Sequence, residues 1–412
     1  MIDYLDQIDI AMIAPSRAGK STLICAMKQE LQQRLPPEIK FTPSRDDNIW
    51  QYWREVTETE PSEPDSTTLA YVKSIESEYK DALKFVGKKF TATIHGSRNS
   101  AVLSFDLRNQ QTGVGMPFRI LDYPGGAIDV DLGDLHTQVL EAYAQNCFAL
   151  IVPVFSLALV ESARLDERFE SGNVLESEYR DKNHALMDLL QVDNVVSHVQ
   201  KWCVARAAEG KEGILIFVPV KCESYFEMPS SNDLHNLMSK TKALYFKLLK
   251  ENLNTYNADL LANIERLVKV HYSPVLTFGE NKICNGMLRW LGDAGSRKLA
   301  DTYEKREVGF SMPTPSGAAW LLHHVTKRRN ELIAEDLRQR GETIASVLQN
   351  QNLFERIWGE SWFGHNDERR AAISQLGGKA AEYQAFVNDI VRMKMAGVQA
   401  VVDQHAYWPW DF

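Results

Sequence analysis

The sequence predicts an α/β protein: a mainly parallel sheet flanked by helices, with a helical region appended at its C-terminal end. Three observations carry that expectation. Short, continuously apolar runs such as 148–155 and 214–218 recur between segments of helical period, and strands apolar on both faces belong in a sheet covered on both sides. Each run stops at a turn rich in Gly, Pro, Asp or Ser, where a chain leaves a sheet. Past about residue 325 strand-like runs give way to helical patterning, which divides the chain into 1–325 and 326–412.

In order, Ile8-Asp9-Ile10-Ala11-Met12-Ile13 reads as a strand. The following helix carries Leu23, Ile24, Met27, Leu31 and Leu35 at helical spacing and stops at Pro36-Pro37. The polar stretch 41–89 holds a loop signature, Glu58-Thr59-Glu60-Pro61-Ser62-Glu63-Pro64-Asp65, and then a helical segment around 69–85. Runs 101–107 and 118–121, separated by turn residues, are expected to pair as an antiparallel hairpin. A helix over 135–145 leads to the buried strand 148–155, helical material over 158–209 to the strand 214–218, and helices over 232–265 to a strand at 267–271. In the tail, Leu376, Ala380, Tyr383, Val387, Ile390 and Val398 follow one helical stripe.

Composition narrows the function class. The 412 residues are 44% hydrophobic and 25% charged, ordinary values for a soluble globular protein. A net charge of -9 supplies no electrostatic reason to expect nucleic acid or an anionic membrane as partner. Cys25, Cys147, Cys203, Cys222 and Cys284 are widely spaced and form no C-x-x-C, so buried free thiols in a reducing cytoplasm are expected. The acidic start Met1-Ile2-Asp3-Tyr4-Leu5-Asp6 lacks the basic-then-apolar form of a signal peptide. The longest apolar run, 147–160, contains Pro153 and is too short to span a bilayer.

Chemistry concentrates first in Ala14-Pro15-Ser16-Arg17-Ala18-Gly19-Lys20-Ser21-Thr22. This fits the phosphate-binding pattern G-x-x-x-x-G-K-[ST], with Ala14 in place of the first glycine, between a strand and a helix. Turn N–H groups and the positive end of the helix dipole would cradle phosphates. Lys20 would reach the β- and γ-phosphates, and the Ser21 hydroxyl would ligate Mg²⁺. Alanine tolerates most turn conformations there, though not a left-handed one.

Three further signals end later strands. Asp122-Tyr123-Pro124-Gly125 offers a carboxylate for Mg²⁺ and a glycine whose N–H can approach a γ-phosphate. In Val220-Lys221-Cys222-Glu223, a lysine stem can lie along a purine face, and a carboxylate two residues on can accept two bonds from adjacent base donors, which suits guanine. In Ser273-Pro274-Val275, loop N–H groups can meet a base carbonyl.

On these residues the chain resembles the P-loop GTPases of the translation-factor and small-GTPase class over roughly 8–322. The loop Pro15-Ser16-Arg17-Ala18-Gly19-Lys20-Ser21 and Asp122-Tyr123-Pro124-Gly125 look most like the bacterial stress- and conflict-associated groups, the YcjX-like and double-GTPase proteins. The resemblance implies a P-loop NTPase fold, Mg²⁺-dependent GTP binding and hydrolysis, a first switch between 41 and 96 and a second after Asp122. It implies a switch threonine on Mg²⁺, for which Thr93 is best placed, with Thr91 and Thr68 as rivals. Arg17 stands where the similar guanylate-binding-protein loop carries its cis-acting arginine, giving it a role in catalysis or in phosphate anchoring. The family's N-K-x-D reads Val220-Lys221-Cys222-Glu223 here, and Gly126 replaces the glutamine that often follows D-x-x-G. A protein partner, or self-association through the switches and the C-terminal helices, is expected. An ATPase on the same loop and a nucleotide-binding scaffold with little turnover are the alternative readings.

Other features read as structural. Asp129-Val130-Asp131-Leu132-Gly133-Asp134 resembles a calcium loop, but Leu140 stands where the bidentate glutamate belongs. His323-His324 read as surface or packed histidines and Lys327-Arg328-Arg329 as a solvated face. Trp358, Trp362 and Tyr407-Trp408-Pro409-Trp410-Asp411-Phe412 read as core-packing aromatics.

Overall fold

The computed structural model describes residues 8–15, 18–43, 72–74, 77, 89–91, 101–111, 115–122, 135–226, 232–277, 283–291, 298–305, 315–329, 332 and 404–412. Its main strands are β1 (Ile8–Met12), β2 (Ile39–Pro43), β4 (Ala101–Asn109), β5 (Gly115–Asp122), β6 (Ala149–Phe155), β7 (Gly213–Val220), β8 (Val268–Tyr272) and β11 (Ala406–Tyr407). They form one sheet in the order β11-β8-β7-β6-β1-β5-β4-β2. The five strands from β8 to β5 are parallel, and β4, β2 and β11 add antiparallel edges. The protein is thus α/β with a mostly parallel sheet, and 101–107 and 118–121 pair as the expected hairpin.

The apolar runs are explained by what each face meets. In β6, Leu150, Val152 and Val154 join one core, while Ala149 and Ile151 join the other. Helices α2 (Leu135–Asn146), α3 (Ser156–Glu170), α4 (Glu176–Leu190) and α5 (Val192–Ala208) supply side chains to the first core. The second core is covered by α1 (Lys20–Arg34) and by α10, a helix over 318–329. Burying a Val, Leu or Ile on either face contributes about 1.5–3 kcal/mol, so both faces select apolar residues and the alternation disappears.

Helix α1 is enclosed on more than one side: even Lys28, Gln29 and Glu30 are buried. The Glu30 carboxylate accepts hydrogen bonds from the Gly317 N–H at 3.0 Å and the Ala319 N–H at 2.9 Å, and pairs with Arg34 at 2.8 Å. A carboxylate at a helix N-terminus satisfies orphan donors and meets the positive end of the dipole. Burial nevertheless pushes the Glu30 carboxyl upward, against those bonds and Arg34. The helix that opens at the β1 turn is therefore fastened to the start of α10.

Several expectations change. The polar stretch read from residue 41 opens, at 41–43, with the end of β2, an edge strand paired to β4. Strands β3 (Lys89–Thr91), β9 (Ile283–Leu291) and β10 (Lys298–Lys305) form a separate antiparallel sheet in the order β3-β10-β9, a pairing that no regular alternation in 283–305 announced. The tail is not helical to its end. Strand β11 lies antiparallel on β8, Trp408 N–H donates to the Val270 carbonyl at 3.0 Å, and the Trp410 indole donates to the Val268 carbonyl at 2.8 Å. Trp408 and Trp410 are core residues, as their aromatic character suggested, whereas Tyr407 and Phe412 are exposed. The stripe 376–398, Trp358, Trp362 and the calcium-like segment 129–134 lie outside the described residues. His323 and His324 pack with Trp320, His271 and His405, where burial holds all four imidazoles below their usual pKa. Among the described residues no helix is long and apolar enough to cross a membrane.

Candidate functional site

Strand β1 lies between β6 and β5, so strand order reverses there; α1, which follows β1, covers one face of the sheet, and α2, which leads into β6, covers the other. In open α/β sheets that reversal leaves a crevice beyond the carboxyl ends of the strands, where ligands bind. Register is set at the opposite end of the same strands. Asp9 and Arg119 face each other and form two bonds of 2.8 Å, with the Tyr143 hydroxyl donating to Asp9 at 3.3 Å. That register puts Met12 opposite Asp122, so Asp122 ends β5 beside the turn that leaves β1.

The turn is tight: the Ala18 N–H donates to the Pro15 carbonyl at 3.3 Å. Gly19 caps α1 with φ 104°, a left-handed backbone that glycine adopts without strain. A Cβ there would also lie 3.3 Å from Val220 Cγ2 and 3.6 Å from Lys221 Cε. Ala14 is not among the described residues with positive φ, so its backbone does not call for glycine. The Lys20 ammonium is buried and donates to the carbonyls of Ala14 at 2.7 Å and Pro15 at 3.2 Å. Burial pushes its pKa down to about 8 while Asp122 pulls it up, leaving the group mostly charged at neutral pH. A buried cation resting on neutral carbonyls gains a stronger partner when an anion arrives. Next to it, the Ser21 hydroxyl donates to Asp122 Oδ2 at 3.1 Å. A hydroxyl and a fully buried carboxylate are hard oxygen donors, the kind that Mg²⁺ takes alongside phosphate oxygens and waters.

A second group lies at the ends of β6, β7 and β8. Lys221 follows β7 with φ 60°, a conformation that costs a non-glycine residue about 1–2 kcal/mol. Its ammonium sits 5.0 Å from the centre of the Phe155 ring. The buried Ser156 hydroxyl, just past β6, donates to the carbonyls of Val220 at 2.6 Å and Lys221 at 2.9 Å. Glu223 is buried and accepts from the Thr277 hydroxyl at 3.3 Å. Burial, and then Glu223, push the neighbouring Cys222 thiol well up. After β8 the Ser273 N–H donates to the Phe217 carbonyl at 2.9 Å, while the buried Ser273 hydroxyl has no hydrogen-bond partner among the described residues. Pro274 is buried beside it.

Of the residues singled out in sequence, Pro15, Ala18, Gly19, Lys20, Ser21, Thr22 and Asp122 thus gather at β1 and β5, and Lys221, Glu223, Ser273 and Pro274 at β7 and β8. The close approach of the Val220-Lys221 segment to the Gly19 position, where there is little room for a Cβ, joins the two groups. Ser16, Arg17, Thr93 and Gly125 lie outside the described residues. Ser156 and Thr277 were not singled out. The available signal was position: Ser156 is the first polar residue after the apolar strand β6. A cavity of about 640 Å³ between α4, α5 and the π-helical turn Lys242–Lys247 includes Met187, Gln191 and Leu244 in its lining and shares no residue with this site. Compared with models of known protein families and with curated proteins, the chain gives no match.

Proposed function

We propose that the chain is a Mg²⁺-dependent GTP-binding protein that hydrolyses GTP and works as a nucleotide-state switch on a P-loop NTPase fold. One observation carries the reading. A buried ammonium, Lys20, and a hydroxyl–carboxylate pair, Ser21 with Asp122 at 3.1 Å, meet at a helix N-terminus beyond the carboxyl ends of neighbouring parallel strands. Charge for phosphates, oxygens for a hard cation and the positive end of a helix dipole are what a nucleoside triphosphate requires together.

In this reading Lys20 exchanges its carbonyl partners for β- and γ-phosphate oxygens. Ser21 and Asp122 would hold Mg²⁺, directly or through water, and the bound ion supplies positive charge to the phosphates. Arg17 meets the charge that develops around the γ-phosphate, and Gly125 lends its N–H. Thr93, with Thr91 and Thr68 as rivals, would supply the switch hydroxyl to the metal. Lys221 lies along the base, Glu223 accepts from adjacent base donors and Ser273-Pro274 approach the base carbonyl. A reducing cytoplasmic setting agrees with the burial of Cys25, Cys147, Cys203 and Cys222. The nucleotide state would pass to a protein partner, or to a second copy, through the switches and the C-terminal region, and α1 with its Glu30 link to α10 offers a route.

Phosphate release measured with GTP and ATP side by side, with and without Mg²⁺, tests the proposal. Release that needs Mg²⁺ and favours GTP is expected. Equal rates with both nucleotides would favour the ATPase reading, binding without release the scaffold reading, and no binding of either nucleotide would overturn all three.

A further inference from the structure

We propose that Ser156, with Phe155 beside it, is a positioning residue that sets Lys221 against the base of the bound nucleotide, an inference that rests on the nucleotide reading above. Lys221 has a left-handed backbone without being glycine, so something outside its own dipeptide must hold it there. The Val220 side chain belongs to the apolar core and lies against the Gly19 turn, so it offers no hydrogen bond to brace the segment. The brace comes from the neighbouring strand.

Parallel register places Phe155 of β6 beside Val220 of β7. The next residue, Ser156, is fully buried, and its hydroxyl shares one proton between the carbonyls of Val220 and Lys221 at 2.6 and 2.9 Å. Two successive carbonyls held by one donor fix the orientation of the peptide between them, and with it the direction in which Lys221 leaves the backbone. Phe155 then holds the other end of the same side chain, with the Lys221 ammonium 5.0 Å from its ring centre. The stem between these two anchors passes the Gly19 position, where Cε would lie 3.6 Å from an added Cβ. Phe155 and Ser156 thereby place a cationic stem at the junction of the phosphate turn and the proposed base site. Ser156 touches neither phosphate nor base in this arrangement and acts through Lys221.

Calorimetric titration with Mg²⁺–GTP and with inorganic tripolyphosphate, on the full chain, tests this. Ser156→Ala is expected to weaken GTP about tenfold, or about 1.4 kcal/mol, and to leave tripolyphosphate affinity unchanged. Ser156→Thr, which keeps the hydroxyl, should retain GTP affinity. In a Lys221→Gly background Ser156→Ala should cause no further loss, because glycine holds a left-handed backbone without a brace. Unchanged GTP affinity in Ser156→Ala, equal weakening of both ligands, or a full loss persisting in the Lys221→Gly background would each overturn the inference while leaving nucleotide binding in place. An unmodified protein that binds neither ligand would overturn the nucleotide reading, and this inference with it.

Discussion

Around the β1–α1 turn, Lys20 donates to carbonyls five and six residues away. Around Lys221 and Glu223, the hydrogen bonds from Ser156 and Thr277 span 54 to 65 residues. The proposed phosphate half is thus mainly a local object: a strand end, a turn and a helix start, completed by one carboxylate from the adjacent strand. The proposed base half is an assembly of three strand ends in which a strained lysine backbone, a buried glutamate and a buried hydroxyl depend on neighbours distant in the chain. A local half tolerates change elsewhere in the fold, because its geometry travels with its own turn. A non-local half is only as well defined as the register of the strands that carry it.

Substitutions in the two halves should separate accordingly. The largest effect is expected from Arg17→Ala. A guanidinium that meets developing charge on the γ-phosphate is worth about 10³–10⁵ in kcat, so single-turnover hydrolysis should fall by orders of magnitude with nucleotide affinity nearly kept. Unchanged hydrolysis with weakened binding would make Arg17 a phosphate anchor. Lys20→Ala comes next. Truncating one partner of a desolvated charge pair costs about 2–5 kcal/mol, so GTP, ATP and tripolyphosphate should all weaken by roughly that amount in titrations, with the circular dichroism of the folded chain retained. Affinity like that of the unmodified protein would remove the phosphate half altogether.

Glu223→Ala should cost about 1.5–3 kcal/mol in GTP affinity, the worth of bonds to a charged acceptor, and leave ATP nearly unchanged. Equal losses for both nucleotides would show that Glu223 supports the loop through Thr277 and does not read the base. The smallest effect is one of pH. Lys20 in the free protein has its pKa lowered to about 8, so above that pH an incoming triphosphate must first restore the proton. Between pH 7 and 8.5 affinity should fall about fourfold for GTP and tripolyphosphate alike. A pH slope for GTP without one for tripolyphosphate would move the titrating group to the base half.

Sequence by itself determined the local events of this protein: apolar runs that become strands between two covered faces, the β1–α1 turn with Gly19 and Lys20, the hairpin 101–122, and Asp122 at the end of its strand. Periodicity and turn chemistry act within a few residues, so each of these is legible in its own stretch. Tertiary structure alone decided the rest. It brought Ser156 to Lys221, set Glu30 on N–H groups 287 and 289 residues away, paired β9 and β10 with β3, and returned Trp408 and Trp410 to the main sheet as part of its core. A glutamate mid-helix or a tryptophan near a chain end has many possible partners of suitable chemistry. Which one it meets follows from strand order and register, and those are set by burying the whole apolar surface at once, not by any one segment.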